Sequence, residues 1–455
     1  MIRRTAAIGL IAGAALGASP SQPSPEDIFP YLDLFASAVA IIQSDYADEV
    51  DPTNLIYGAL HGMLRSLDPH SEFMEPQAVD DLKVETEGEF GGLGIEIGVR
   101  DDMLTVIAPM EDTPAFKAGL MPNDKIIKIG DENTRGMSVG DAIKRLRGKP
   151  GTKVTITIQR TLKDVREVKE HTITRAIIKV NTVRDAQMVD PTNMIGYVRV
   201  TNFDKNTGAA LRDAIDALVT QGMEALVLDL RNNGGGLLVT SIDVSSLFLR
   251  ANDVVVSTRG RIPSQNQVYR VPENGTWYAF PMVVLLNGAS ASASEIVTGA
   301  LKDHKRAVVL GSKSFGKGSV QTVLPIGANN TALRLTTAKY YTPSGVCIHG
   351  TGIYPNIEVP ITIDDEISIV EKRALAREST NTMSKAAYER YKQLEQFRDQ
   401  QLDRAVDLLK GMRFLAGSEY ALSFTNRMEA PAGAADEADP APSDDAGEPA
   451  DDTTE

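Results

Sequence analysis

Residues 225–236 read Ala225-Leu-Val-Leu-Asp-Leu-Arg-Asn-Asn-Gly-Gly-Gly236. A short apolar run closed by polar residues and glycines is a buried strand entering a turn. A helix is expected next, at about 237–250. The same alternation recurs on both sides. Strand-like Ile195–Val200 precedes a helix near 207–221, and Met282-Val-Val-Leu-Leu286 passes through Asn287-Gly288 into a helix at about 292–304. Ala307-Val-Val-Leu310 is a further strand. Apolar strands that each meet a turn and a helix predict βαβ units.

Further out, the pattern changes. Residues 83–175 carry many short strands and a single helix, Val139 to Leu146, as in a small β-rich module. Residues 25–76 are helical in pattern. Ile28, Phe29, Tyr31, Leu32, Phe35 and Val39 form one face, and Leu55, Ala59, Met63 and Leu64 form another. Leu67-Asp-Pro-His-Ser71 closes that segment, with Pro69 as a helix stop and Asp68 capping a turn. Residues 366–412 are helical and charged, with Leu394, Phe397, Leu402, Ala405, Val406 and Leu409 as a narrow apolar face. The fold class expected is α+β and multidomain: an α/β core of βαβ units, an inserted β-rich module, and helical N- and C-terminal segments.

The chain has 455 residues, 42% apolar and 24% charged, which is globular composition and allows roughly three folded units. Its net charge is −14. That balance argues against a nucleic-acid partner, which needs a basic footprint. Residues 429–455 hold ten of the acidic residues and no Lys or Arg, so the tail carries −10. Its aliphatic side chains are all alanine, too little to offset ordering entropy, so a disordered acidic tail is expected. Residues 1–20 place Arg3 and Arg4 before a small-residue apolar run from Thr5 to Leu16. This is a signal-peptide pattern, well short of the roughly 20 residues of a membrane span. It predicts an exported, periplasmic protein. The single Cys347 excludes an intramolecular disulfide and any cysteine metal cluster, and a buried, inert thiol is expected. No metal and no cofactor is called for.

Three corners can carry chemistry. Gly234-Gly-Gly236 exposes N–H groups that can hold an oxyanion or a phosphate. Ser290-Ala-Ser-Ala-Ser294 opens a helix, where a hydroxyl feels the positive end of the dipole. Capping explains one such serine but not three. Lys317 stands between two glycines after Phe315, and a lysine in an apolar setting loses its preference for the ammonium form. Gly311 to Gly318 nearly matches a phosphate-binding loop. It fails where Gly318 replaces the magnesium-ligating hydroxyl, and a strand rather than a helix follows.

Leu228-Asp-Leu-Arg-Asn-Asn-Gly-Gly-Gly236, Ser290-Ala-Ser-Ala-Ser-Glu295 and Phe315-Gly-Lys-Gly-Ser-Val-Gln321 resemble the signature blocks of the carboxyl-terminal processing (tail-specific) proteases. The Leu67–Ser71 and Gly350-Thr-Gly-Ile-Tyr-Pro355 stretches resemble further family segments. The resemblance implies a serine endopeptidase with a Ser–Lys pair. Ser292 would be the nucleophile, Lys317 the base and Gln321 the residue that orients the lysine amine. Ala293 N–H and one of Gly234 or Gly235 would form the oxyanion hole. The 83–175 module resembles the family PDZ domain, with Gly92, Leu93, Gly94 and Ile95 as its carboxylate loop and Arg147 on the peptide carboxylate. The block after Tyr340-Tyr-Thr-Pro-Ser-Gly345 departs from the family, since Val346-Cys-Ile-His349 stands there.

The resulting layout is a signal peptide at 1–20, a helical region at 21–82, a PDZ domain at 83–175, a protease core at 176–364, a helical region at 365–428 and the tail at 429–455. Expected partners are proteins with disordered C-terminal tails, an activating adaptor, and a second copy through the helical ends. The alternative reading is a non-catalytic PDZ scaffold. Serine chemistry of this type needs no histidine, and His304, in a charged stretch, is expected as a solvated helix-end residue.

Overall fold

In the strand Ala225–Asp229 every residue is buried, and successive side chains enter two different cores. Leu226 and Leu228 pack with Val198, Val284 and Val309 under the helices Thr207–Thr220, Leu238–Ser246 and Ala293–Asp303. Ala225 and Val227 pack with Tyr197, Val283, Leu285 and Leu310 under Ala405 and Leu409 of helix Gln400–Ala416. A strand covered on both faces is apolar throughout, which is why this stretch shows no polar alternation.

The computed structural model describes residues 28–416 apart from 101–102, 111, 122, 163–164, 274–276, 328 and 377–384. The expected signal peptide and acidic tail lie outside the described residues. The chain forms two compact units, one of residues up to Val79 with Gln321–Thr336, the other of Asp80–Val320 with Thr337 onward.

The larger unit contains the six-stranded sheet, in the order Val183–Asp190, Ile195–Val200, Ala225–Asp229, Met282–Leu286, Val308–Gly311 and Ile357–Glu358. The first pair is antiparallel and all later pairs are parallel, so the expected βαβ units are present. It also contains the β-rich module: strands Ile95–Arg100, Met103–Pro109, Lys125–Ile129, Lys153–Leu162 and Val165–Thr174 in that spatial order, around Val106, Ile126, Ile156 and Ile158. Ser138 caps its helix Val139–Leu146 by accepting from Asp141 N–H. A second helix of one turn, Pro114–Lys117, was not in the sequence pattern. Helix Pro76–Glu87 runs past position 83, and the first strand beyond it begins at Glu89.

Among the described residues, the C-terminal region holds helices Ile363–Ala376, Lys385–Glu395 and Gln400–Ala416. The apolar face expected to meet a second copy is used within the chain: Ala405 and Leu409 are fully buried, and Leu402 and Val406 pack beside them. That face is therefore occupied within the chain, whereas Ile363, Ile367 and Phe414 of the same region stay exposed.

The smaller unit holds helices Phe29–Asp45 and Pro52–Arg65 and strand Glu72–Met74, which pairs antiparallel with Ala332–Arg334. The first helix buries none of its side chains, and Phe29, Leu32 and Phe35 are exposed. Of the second face, only Leu64 is buried, and Met63 is exposed. Among the described residues, no helix is long and apolar enough to cross a membrane.

Candidate active site

Strand Met282–Leu286 delivers the serine turn to the glycine turn that ends Ala225–Asp229, because the two strands are parallel neighbours. The turns are then locked by side chains. Asn287 Oδ1 accepts from Asn232 N–H at 2.9 Å, and Asn287 Nδ2 donates to Asn232 Oδ1 at 2.9 Å. Ser290 Oγ donates to Leu230 O and Ser294 Oγ to Asn233 O, each at 2.9 Å, and both serines are fully buried. Two of the three serines are therefore structural ties.

Ser292, the middle one, is half-buried and stands at the start of helix Ala293–Asp303 with φ 55° and ψ −114°. A non-glycine residue in that conformation stores strain, and a sharp strand-to-helix turn of this kind presents its hydroxyl outward. Gly235 supports it. Its φ is 105°, and a Cβ there would come 2.7 Å from Ser292 Cβ and 2.9 Å from Ala293 N. Gly234 has no such neighbour within 4 Å. The Gly235 N–H donates to Asn233 Oδ1 at 2.9 Å. The structure thus brings Ser292, Ala293 and Gly235 together.

Glu295 connects this corner to Lys317. Its Oε2 accepts from Ser292 N–H at 2.8 Å and from Lys317 N–H at 2.9 Å. Its Oε1 accepts from Gly316 N–H at 2.7 Å and Ser314 Oγ at 2.5 Å. The side chain is fully buried. Burial pushes its carboxyl above the usual range, against the opposing pull of the Ser314 hydroxyl and the three N–H donors. The sequence reading assigned Glu295 no role. Its signal was the Ser-x-x-Glu spacing of a capping box, Ser292 to Glu295.

The loop carrying Lys317 is shaped by its glycines. A Cβ on Gly318 would lie 2.1 Å from His349 N, and Gly316 has φ 93°. Gly350 N–H donates to Gly316 O, and Ile353 N–H donates to Ser314 Oγ at 2.6 Å. The Gly350–Pro355 stretch therefore packs against the lysine loop, and Lys317 itself is half-buried. The strand Ser319–Ile326 follows, as the failed phosphate-loop reading required.

A second missed cluster lies behind the glycine turn. Asp229 Oδ2 accepts from Tyr197 Oη at 2.7 Å, Arg231 Nη2 at 2.8 Å and Arg373 Nη2 at 2.7 Å. Arg231 also donates to Asp399 and Gln401. Burial alone would raise the Asp229 carboxyl, but Arg231 and Arg373 hold it far below the usual range. Its signal in the sequence was an ionisable residue inside an apolar strand.

Gln321 belongs to the smaller unit. Its Nε2 donates to Thr336 Oγ1 at 3.3 Å, and Thr336 Oγ1 donates to Asp68 Oδ1 at 3.2 Å. Asp68 also accepts from His70 and Ser71 N–H, the capped turn expected for this segment.

In the β-rich module, Gly92, Leu93, Gly94, Ile95 and Arg147 line one groove of about 210 Å³, with Phe90 and Ile143. Arg147 lies over the Phe90 ring at 4.7 Å and pairs with Asp81 at 3.3 Å. Two expectations fail. His304 ends its helix but is half-buried, bonded to Val254 O at 2.8 Å, and Cys347 is half-buried rather than buried. Among the described residues, no group of three or more His, Cys, Asp or Glu is placed to hold a metal ion.

Comparison with known proteins gives three matches along the chain. Residues 194–359 match the peptidase family S41, residues 105–160 the PDZ domain, and residues 18–78 the activating protease CtpB N-terminal domain. A carboxy-terminal-processing protease of Bartonella bacilliformis is 42% identical over 79% of this chain and 83% of its own. The carboxy-terminal processing protease CtpB of Bacillus subtilis is 33% identical over 76% of this chain and 71% of its own. Among solved structures, a photosystem II D1 C-terminal processing protease is 30% identical, covering 73% of this chain and 88% of its own, with a TM-score of 0.42.

Proposed function

This chain belongs to peptidase family S41 as a carboxy-terminal processing serine protease with a PDZ domain, and on that premise we propose that it is an exported endopeptidase whose Ser292–Lys317 pair cleaves proteins chosen by their C-terminal tails. The observation that carries the assignment of the pair is the shared carboxylate: Glu295 Oε2 accepts the main-chain N–H of both residues. Groups on two distant turns are thereby fixed to one atom. Orientation of this kind is worth orders of magnitude in rate.

In the reaction, neutral Lys317 takes the proton of Ser292 Oγ as that oxygen attacks the scissile carbonyl. Ala293 N–H and a second N–H from the Gly234-Gly235 pair stabilise the oxyanion. The lysine returns the proton to the leaving amine, and water, deprotonated by the same lysine, releases the acyl-enzyme. Gln321 orients the lysine amine. The PDZ groove takes an extended tail as an added strand, with its carboxylate at the Gly92–Ile95 loop and Arg147. Export is supported by Arg3, Arg4 and the apolar run behind them.

The test is cleavage of an unfolded protein with an apolar C-terminus. Ser292→Ala and Lys317→Ala should each abolish it while peptide binding to the PDZ groove persists. Undiminished cleavage by Ser292→Ala would overturn the assignment of the nucleophile, and a wild-type chain that binds tails without cutting them would be a binding scaffold.

A further inference from the structure

Asp68, Thr336 and Gln321 form a hydrogen-bonded chain inside the smaller unit, and its polarity is fixed. Asp68 Oδ1 accepts from His70 N–H at 2.7 Å, Ser71 N–H at 2.9 Å and Thr336 Oγ1 at 3.2 Å. Its Oδ2 accepts from Ser71 Oγ at 2.7 Å, and Ser71 Oγ in turn accepts from Thr336 N–H at 3.1 Å. Burial raises the carboxyl, but the Ser71 hydroxyl, the His70 and Ser71 N–H groups and the Thr336 hydroxyl together hold it below its ordinary value.

A carboxylate only accepts hydrogen bonds. The Thr336 hydroxyl must therefore donate its proton to Asp68, and what it offers Gln321 is a lone pair. Gln321 meets that lone pair with Nε2, at 3.3 Å. The two edges of a carboxamide are opposite in character, one donor and one acceptor. Committing the NH2 edge to Thr336 fixes which edge of Gln321 is its acceptor edge. An amide without such a partner has two orientations of similar shape.

We propose that Asp68 and Thr336 are positioning residues for catalysis, which act by setting the amide orientation of Gln321. This rests on the reading of Gln321 as the residue that orients the lysine amine. A base needs its N–H bonds held by an acceptor and its lone pair left for the serine proton. An amide turned the other way would present NH2 to that lone pair and quench the base. The Leu67–Ser71 segment, far from residue 317 in sequence, thus has a chemical task in addition to closing a helix.

The test is steady-state kinetics of the full chain on one unfolded substrate, with thermal unfolding as a check of the fold. Thr336→Val keeps the shape and removes the relay. It should lower kcat roughly three- to tenfold, about the value of one hydrogen bond, with KM and unfolding temperature unchanged. Thr336→Ser should restore kcat. Asp68→Asn keeps an acceptor but removes the charge, and should give a smaller loss in the same direction; it also serves if Thr336→Val does not fold. Adding Thr336→Val to Gln321→Ala should cost nothing further, since the relay acts only through that amide. A full-rate Thr336→Val beside an impaired Gln321→Ala would overturn the relay and leave the role of Gln321 standing. A full-rate Gln321→Ala would overturn both, and additive losses in the double variant would overturn the relay.

Discussion

At Gly235 the nucleophile turn has no room for a methyl group. The position combines φ 105° with an approach of 2.7 Å to both Ser292 Cβ and Ala291 O. Gly235→Ala should therefore displace the Ser292 turn and cut kcat at least a hundredfold, a loss of the order seen when an oxyanion donor is removed. The same change at Gly234, which meets nothing within 4 Å, should leave the turn in place. Parallel turnover measurements on the two variants check this, and equal losses would count against the placement of Gly235. Glu295→Gln makes a sharper point. Four donors converge on that carboxylate, and an amide offers an NH2 group to two of them. Buried donors without acceptors cost about 1–3 kcal/mol each, so the variant should be less stable to urea by at least that amount and nearly inactive.

At the scale of elements, helix Gln400–Ala416 closes the back of the parallel sheet. Leu409→Ala should cost about 2–4 kcal/mol, the usual penalty for emptying a core leucine site, measured by denaturant unfolding. The same helix is held at its far end by Lys410 on Asp190, at 2.9 Å. That bond, with those from Asn193, lowers the Asp190 carboxyl to about 2. A carboxyl depressed in the folded state stabilises it above the unfolded value of 3.8, and this contribution is lost as pH falls from there through about 2. Lys410→Met should flatten the decline in stability across that interval, and an unchanged acid titration would show that the bond contributes nothing in solution. The elements were legible in sequence because period and punctuation are local. Met282–Leu286 reads as a buried strand, and the glycines of 234–236 read as the turn that ends one. Polar ties were not legible. Arg231 finds Asp399 across 168 positions, and Glu295 finds Gly316 and Lys317 more than twenty residues on, distances that no local period encodes. The narrow face at Leu402, Ala405, Val406 and Leu409 was visible, but its partner was not, and a stripe of that width suits a sheet of the same chain as well as a second copy.

For the whole molecule, exposed apolar side chains stand on both helical ends: Phe29, Leu32, Phe35 and Ile41 on helix Phe29–Asp45, and Ile363, Ile367 and Phe414 on the C-terminal helices. The N-terminal helix is the one that buries none of its side chains, so association of two copies through a helical end is tested there first. Leu32→Glu with Phe35→Glu should convert a dimer to a monomer by light scattering, and a dimer that survives both changes would place the interface elsewhere. The −14 charge belongs mostly to the tail, since residues 21–428 carry only −6, so removing 429–455 should leave kcat and KM unchanged. The Ser292–Lys317 assignment turns on which hydroxyl attacks. Labelling the full chain with a fluorophosphonate and locating the adduct by peptide mass mapping decides it directly. The adduct should fall on Ser292 alone, vanish in Ser292→Ala and form far more slowly in Lys317→Ala. An adduct on Ser290 or Ser294, or labelling at full rate without Lys317, would contradict the Ser292–Lys317 assignment.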